Sequence, residues 1–224
     1  MPGRQIPLVT GQMYHVFNRG LDNRSTFTDK REYVRADMAI RFYRFVNPPL
    51  KLSRFLVLPK DDRMKLLQET EARREKLVDI LCYCFMPNHF HLLLRQLRDG
   101  GISKFLANYQ NSYTRYFNTK HERLGTLFLD QFKAVRVQNE EQMVHVSRYI
   151  HLNPYTSYVT EDLLSLRSYR WSSFREYLGI ASGNICDTEI VLSFFKNEGE
   201  YEKFVFDNAA YQRELDRIKH LVFE

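Results

Sequence analysis

Two histidines separated by a single residue, His89-Phe90-His91, are the first residues whose type and spacing point to chemistry. On an extended chain, side chains at i and i+2 leave the same face, so both imidazoles project together while Phe90 enters the other side. Two close imidazoles repel when both are protonated. The pair therefore favours neutral rings and can chelate a divalent cation. The same spacing also suits two surface or core histidines, and Leu92-Leu93-Leu94 beside them points to a buried, rigid strand. A second cluster is Tyr149-Ile150-His151-Leu152-Asn153-Pro154, in which Tyr149 and Asn153 share a helix face four residues apart. An amide oxygen at that spacing can complete a metal site while the phenol points at the bound group. Spacing alone leaves alternatives open, because Tyr43 and Asn47 repeat it before Pro48, and Tyr14 and Asn18 share it on an extended run. Tyr43 lies between Phe42, Arg44 and Phe45 and fits packing better, which favours Tyr149.

The elements that must position these residues read as an alternation of strands and helices. Residues 13–18 form a β-prone run closed by Arg19-Gly20. Arg31 to Val46 carries apolar residues at helical spacing and stops before Asn47-Pro48-Pro49. An irregular stretch to Lys60 leads to a charged helix over 61–76. Val78 to Phe85 and His89 to Arg95 are strands of a hairpin turned by Met86-Pro87-Asn88. Ile102 to Asn118 is helical, Thr126 to Val137 a strand, and Glu140 to Leu152 a helix ended by Asn153-Pro154. Without the charged insertion at about 50–77 this is an α+β, ferredoxin-like or RRM-like βαββαβ plan, with an antiparallel sheet and helices on one face. A Trp171-centred turn and short helix over 168–178 is expected to pack against this body. Residues 1–180 read as one domain and 181–224 as a small acidic helical appendage.

The chain has 224 residues, 44% of them hydrophobic and 14% aromatic, enough for a sizeable core. No apolar run is long enough to span a membrane, and no signal-peptide core opens the sequence. Three cysteines, Cys82, Cys84 and Cys186, are an odd number, the Cys82 and Cys84 pair reads as small strand hydrophobes, and the chain is expected to be a reduced, soluble, cytoplasmic protein. The net charge of +6 is uneven: residues 1–180 sum to +10 and the remainder to −4. A basic body suits a polyanionic partner.

Taken together, Tyr14-His15-Val16-Phe17-Asn18-Arg19-Gly20, Phe85-Met86-Pro87-Asn88-His89-Phe90-His91-Leu92-Leu93, Tyr113-Thr114-Arg115-Tyr116-Phe117-Asn118 and Tyr149 to Pro154 resemble, in order, the single-tyrosine HUH transposases. Within them the chain is most similar to the REP-associated tyrosine transposases, over roughly residues 10–178. The resemblance implies that His89 and His91 are metal ligands, Asn153 a third, amide ligand, and Tyr149 the nucleophile. It implies Mg²⁺ or Mn²⁺ as the cation and single-stranded DNA bearing a REP-like hairpin as the partner, cleaved and rejoined through a 5′-phosphotyrosine. Arg19, Arg95, Arg115, Lys133, Arg136 and Arg148 flank the expected site and are candidates for phosphate contacts. His151 is a lesser candidate, offset from Tyr149 and Asn153 on the same helix. Two rival readings are an idle RRM-like nucleic-acid binder and a hydrolase in which Tyr149 only orients water. Monomer and homodimer both remain open.

Overall fold

A computed structural model describes residues 7–181 and 185–214. In chain order the regular elements are β1 (Met13–Arg19), α1 (Lys30–Tyr43), α2 (Leu52–Phe55), α3 (Lys60–Ala72), β2 (Val78–Met86), β3 (His89–Gln96), α4 (Gly101–Lys120), β4 (Lys133–Val137), α5 (Glu140–Thr156), α6 (Phe174–Tyr177), α7 (Glu189–Leu192) and α8 (Glu198–Phe206). The strands form one antiparallel sheet in the order β2-β3-β1-β4, the ferredoxin-like arrangement expected. Its two central strands are those that carry the motif residues.

Strand alternation sorts the side chains onto two faces. Tyr14, Val16, Phe85, Phe90, Leu92 and Leu94 point to one face, where α1 and α4 cover them. From α4, Phe105, Leu106, Tyr109, Tyr113 and Phe117 recur at helical spacing and are all buried there. Cys84, Met86 and Leu93 point to the other face, part of which is covered by α5 and elements of the C-terminal segment. The expected Trp171 turn seals the outer edge of β2: Phe85 N–H donates to the Trp171 carbonyl (2.8 Å), and Trp171 stacks on Tyr33 with centroids 4.7 Å apart. All three cysteines are buried free thiols.

Several boundaries differ from the sequence reading, each for a local reason. α1 stops at Tyr43 because the chain leaves the helix to pair with residues 75–77; Leu77 N–H donates to the Arg44 carbonyl and Val46 N–H to the Glu75 carbonyl. Within 49–60, expected to be irregular, α2 forms a single turn. β4 covers only the second half of the expected strand, since Leu127 and Phe128 turn inward and are buried. α5 runs past Asn153-Pro154 to Thr156. Proline removes only its own N–H and so costs the bond to the carbonyl four residues earlier; the ladder resumes when Ser157 N–H donates to the Asn153 carbonyl (3.0 Å). Of the expected appendage, residues 182–184 and 215–224 lie outside the described residues.

The rest of that appendage fixes α5 in place. His151, with no exposed surface, contacts the Tyr201 hydroxyl of α8 through Nδ1 (2.7 Å) and the Ser173 hydroxyl through Nε2 (2.8 Å). Tyr201 in turn donates to Ser147 Oγ, and Ser147 donates to the Val144 carbonyl. A neutral imidazole offers one donor and one acceptor, so the chain closes with His151 donating from Nδ1 and accepting at Nε2. Replacing Tyr201 with Phe keeps the ring and deletes the hydroxyl, leaving buried groups of α5 without a partner. We expect Tyr201→Phe to lower the unfolding free energy by about 1–3 kcal/mol in urea titrations of the full chain. An unchanged midpoint would mean that this polar chain does not hold α5.

Candidate active site

The hairpin turn that carries the histidines is pinned from the side. Gly20 N–H donates to the Asn88 carbonyl (2.8 Å), and Thr26 and Phe27 N–H groups both donate to the Pro87 carbonyl. Gly20 is required here, because a Cβ would collide with the Arg24 carbonyl oxygen. β3 then projects His89 and His91 from one face, as their spacing dictates, with ring centroids 4.9 Å apart and ring planes nearly perpendicular.

The register of β1 against β3 pairs Phe17 with His91 and Arg19 with His89, which brings His15 to the same face. His15 Nε2 lies 2.9 Å from His91 Nδ1. On the other imidazole, His89 Nδ1 lies 2.6 Å from Asn88 Oδ1. An amide oxygen only accepts, so His89 carries its hydrogen on Nδ1 and its Nε2 lone pair is open. When His91 donates from Nδ1 to His15 Nε2, its own Nε2 lone pair is open as well. Second partners of this kind set the tautomer of metal-binding imidazoles.

α5 completes the cluster. The Tyr149 ring stands edge-on to His91 (centroids 5.6 Å) and to His15 (5.7 Å). Asn153 follows one helical turn later, almost wholly buried, and its amide nitrogen donates to the Tyr149 carbonyl (2.9 Å) rather than to either imidazole. That bond leaves the Asn153 amide oxygen as the atom that can accept or ligate. His151 points the opposite way, into the Tyr201 and Ser173 hydroxyls, and so has a structural role. Tyr43 is buried with its hydroxyl accepting from Leu52 N–H (3.4 Å) and its ring edge-on to Phe42; the Tyr14 hydroxyl accepts from Val9 N–H (2.8 Å). Both belong to the core on the face away from the histidines, Tyr43 as the last residue of α1 and Tyr14 from β1.

The six cations expected to flank the site separate. Exposed Arg19 and Lys133 stay beside the histidines, at pairing positions opposite His89 and Phe17. Arg95 sits at the far end of β3 in an ion pair with Asp79 (2.6 Å). Arg136 alternates to the opposite face and donates to Gln12 (2.7 Å), and Arg115 is on the outer side of α4, across the sheet. Arg148 turns into α8, its guanidinium 4.4 Å from the Phe204 ring centroid. His15 and Asn88 were missed as site residues. Both fall within segments that carry the resemblance, but by type Asn88 reads as a turn residue, and placing His15 at the site needs the strand register that no local pattern supplies.

The donor set available to a cation is two open imidazole nitrogens and one amide oxygen, with water or substrate oxygen to fill the rest. This chemistry fits a divalent ion. Among the described residues no group of three or more His, Cys, Asp or Glu is placed to hold a metal by itself.

Burial pushes the His15 pKa down to about 4. Burial, aided by the Arg19 charge, brings His89 to about 4, and burial beside His89 and His15 holds His91 well below its ordinary value. All three rings are therefore neutral at pH 7. Unfolded histidine takes up its proton near pH 6.5 while the folded rings refuse it until about pH 4. In that window the unfolded state binds more protons, so stability of the metal-free protein falls on acidification, by up to about 1.4 kcal/mol per pH unit per ring. Urea titrations between pH 7 and pH 5 should show this slope, and His15→Gln should remove about one ring's share of it. An unaltered slope in that variant would place His15 in solvent rather than in the cluster.

Comparisons with known proteins bear on this site. Residues 52–153 match the family described as IS200-like transposases, a segment that contains both histidines, Tyr149 and Asn153. No curated protein matches the chain. Seven chains of solved structures match, among them a REP-associated tyrosine transposase bound to a REP hairpin; it is 14% identical, with a TM-score of 0.54 over 84% of this chain and 94% of that one. The likeness is one of fold, and with the family match it bears out the resemblance to single-tyrosine transposases read from the motifs. No helix of the described residues is long and apolar enough to cross a membrane.

Proposed function

We propose that this chain, whose central segment matches the IS200-like transposases, is a metal-dependent strand transferase acting on single-stranded DNA near hairpins. The observation that carries the reading is the approach of the Tyr149 ring to His15 and His91 within one chain, across the packing of α5 on the sheet. His89 and His91 would hold a divalent cation through their Nε2 atoms, with the Asn153 amide oxygen as a further ligand. When bound, Mg²⁺ or Mn²⁺ supplies Lewis-acid polarisation of the scissile phosphate. Imidazole ligands favour Mn²⁺ over Mg²⁺, which prefers oxygen.

Tyr149 supplies the nucleophile. Its oxygen attacks phosphorus in line, a phosphorus–oxygen bond to the phenol forms, and the bond to the 3′ oxygen breaks, giving a 5′-phosphotyrosine and a free 3′-hydroxyl. The departing 3′ oxygen takes up a proton as the phenol loses one. The covalent link conserves the energy of the broken bond, so a second 3′-hydroxyl can reverse the step and join new ends. Arg19 and Lys133, exposed on the histidine face of the sheet, would hold the phosphate. The hairpin enters this reading from the motif resemblance and from the solved structure of similar fold, which is bound to a REP hairpin.

Labelled hairpin-bearing single strands with Mn²⁺ should give a slowly migrating covalent adduct on denaturing gels. Tyr149→Phe lacks the attacking oxygen and should reduce the adduct by at least about 10³-fold, and His89→Ala should also abolish it, while Tyr43→Phe keeps it. Cleavage without an adduct, surviving in Tyr149→Phe, would replace the transferase by a hydrolase. A separate measurement addresses the imidazole partner. His15→Ala removes the acceptor for His91 Nδ1 and should weaken Mn²⁺ binding by about 10–100-fold in calorimetric titrations; unchanged affinity would remove His15 from the metal-holding set.

A further inference from the structure

α5 covers the histidine face of the sheet only in part. The cluster it forms there draws on Cys84, Met86 and Leu93 from β2 and β3, and on Met13 and Val137 at the far end of β1 and β4. Phe17 and Val135 belong to neither core cluster of the described residues. The register pairs Phe17 with Lys133 and His15 with Val135, and residues paired across an antiparallel ladder share a face. Arg19 lies two positions beyond Phe17 on β1, so it leaves the same face. This uncovered corner therefore presents Phe17 and Val135 together with exposed Arg19 and Lys133, beside the imidazoles.

Phe17 departs from how the chain treats its other strand aromatics. Tyr14, Tyr83, Phe85 and Phe90 are at most 4% exposed. Phe17 is only half-buried, although β1 is a central strand with a neighbour on each side. Its ring meets His15 and His91 with centroids 5.0 and 5.5 Å apart, tilted by 34° from each. Val135, 52% exposed, continues the apolar surface toward the sheet edge. A phenyl face left partly in water gains by being covered, and a second flat apolar ring covers it best.

We propose that Phe17, with Val135 beside it, is the platform on which one unpaired base of the cleaved strand stacks, the base next to the phosphate held at the histidines. The inference rests on the transferase reading above and adds a physical reason for its single-stranded substrate. Phe17 pairs directly with His91 in the sheet, so a base on its ring adjoins the imidazoles. Arg19 and Lys133 stand next to the ring along β1 and across it, where they suit the phosphates of that nucleotide and its neighbour. A paired base has both faces stacked on its neighbours and cannot lay one on Phe17, whereas an unpaired base turns out freely. A second copy of the chain docking through the same corner about a twofold axis would set Arg19 and Lys133 against their own like charges.

The test uses the full chain in EDTA, so that no bond is broken, and fluorescently labelled hairpin-bearing single strands in which each unpaired nucleotide in turn lacks its base. Anisotropy titrations should find one position at which base loss weakens binding by the parent at least about fivefold. Phe17→Leu keeps an apolar side chain against the imidazoles and removes the flat ring. It should bind the intact strand about fivefold more weakly and lose less than about twofold more at that position. Val135→Ser, at an exposed site, should bind about two- to threefold more weakly. Tyr211→Leu removes an exposed ring elsewhere and should bind as the parent does. Adducts formed with Mn²⁺ locate the cleaved phosphate, and the sensitive position should adjoin it. Base loss that costs the parent and Phe17→Leu equally at every position would overturn the platform, as would a sensitive position remote from that phosphate. Slower adduct formation by Phe17→Leu at saturating DNA, with unchanged affinity, would make Phe17 a prop for His91 and also overturn it. A parent that sediments as a dimer, with Val135→Ser a monomer, would give the corner to a second copy instead. Adducts from the parent with no Phe17-dependent position sink the platform alone, whereas such a position without any adduct sinks the transferase and leaves the platform.

Discussion

The pairing register of β1 against β3 is the constraint on which the site depends. A strand has a side-chain period of two, so a slip by one residue would carry His15 and Arg19 to the α4 face and bring Tyr14 and Asn18 out beside His91. Phe17 opposite His91 is the only alignment consistent with both burying Val16 beneath α4 and placing His15 on the imidazole. The register is fixed at its far end by the bonds from Gly20, Thr26 and Phe27 to the hairpin turn, and the close approach at Gly20 leaves no room for a side chain. One backbone alignment thus sets the histidine positions, the tautomers they adopt and the surface on which α5 lands.

Local information was legible in the sequence and non-local information was not. The His89–His91 pair, the turn before it and the helix face shared by Tyr149 and Asn153 are defined by separations of two to four residues, and the structure has them at those spacings. His15 lies 76 positions from His91, and nothing within its own strand distinguishes it from a packing histidine. Cations show the same divide. A basic residue on a strand announces a charge but not its destination: Arg95 turns to Asp79, Arg148 to α8 and Arg136 to Gln12. Pro154 illustrates a rule outweighed by packing, because one lost hydrogen bond is small beside the burial of Ile150 and Leu152 that the helix secures.

Holding imidazoles neutral in a region poor in water has a cost in stability and a consequence for chemistry. The rings must forgo protons they would accept in solvent, so they enter folding as uncharged groups with lone pairs available. Charges that later approach them act in a medium of low effective dielectric, where each interaction is stronger than at a surface. The environment persists only while α5 covers the sheet. Its own amphipathic stripe supplies part of that attachment, and the buried His151, Tyr201 and Ser147 hydroxyl chain supplies a directional part that fixes the rotation of the helix. Rotation matters because Tyr149 and His151 lie about 200° apart around an α-helix, so anchoring one outward presents the other to the histidines.

The acidic C-terminal segment has a place in the same logic. Its charge excess over 181–224 would repel DNA if it were spread across the face that carries Arg19 and Lys133. Instead Asp187 meets Arg95 and Glu202 meets Arg167, each spending a carboxylate on a cation of the chain's own body. Those pairings neutralise positive charge at the far end of β3 and at Arg167. Arg19 and Lys133, beside the histidines, are among the exposed cations that no carboxylate meets among the described residues. The sheet separates them from Arg115 on the outer side of α4, so charge on that side can vary without altering the electrostatics around the Tyr149 phenol and the imidazoles on the other.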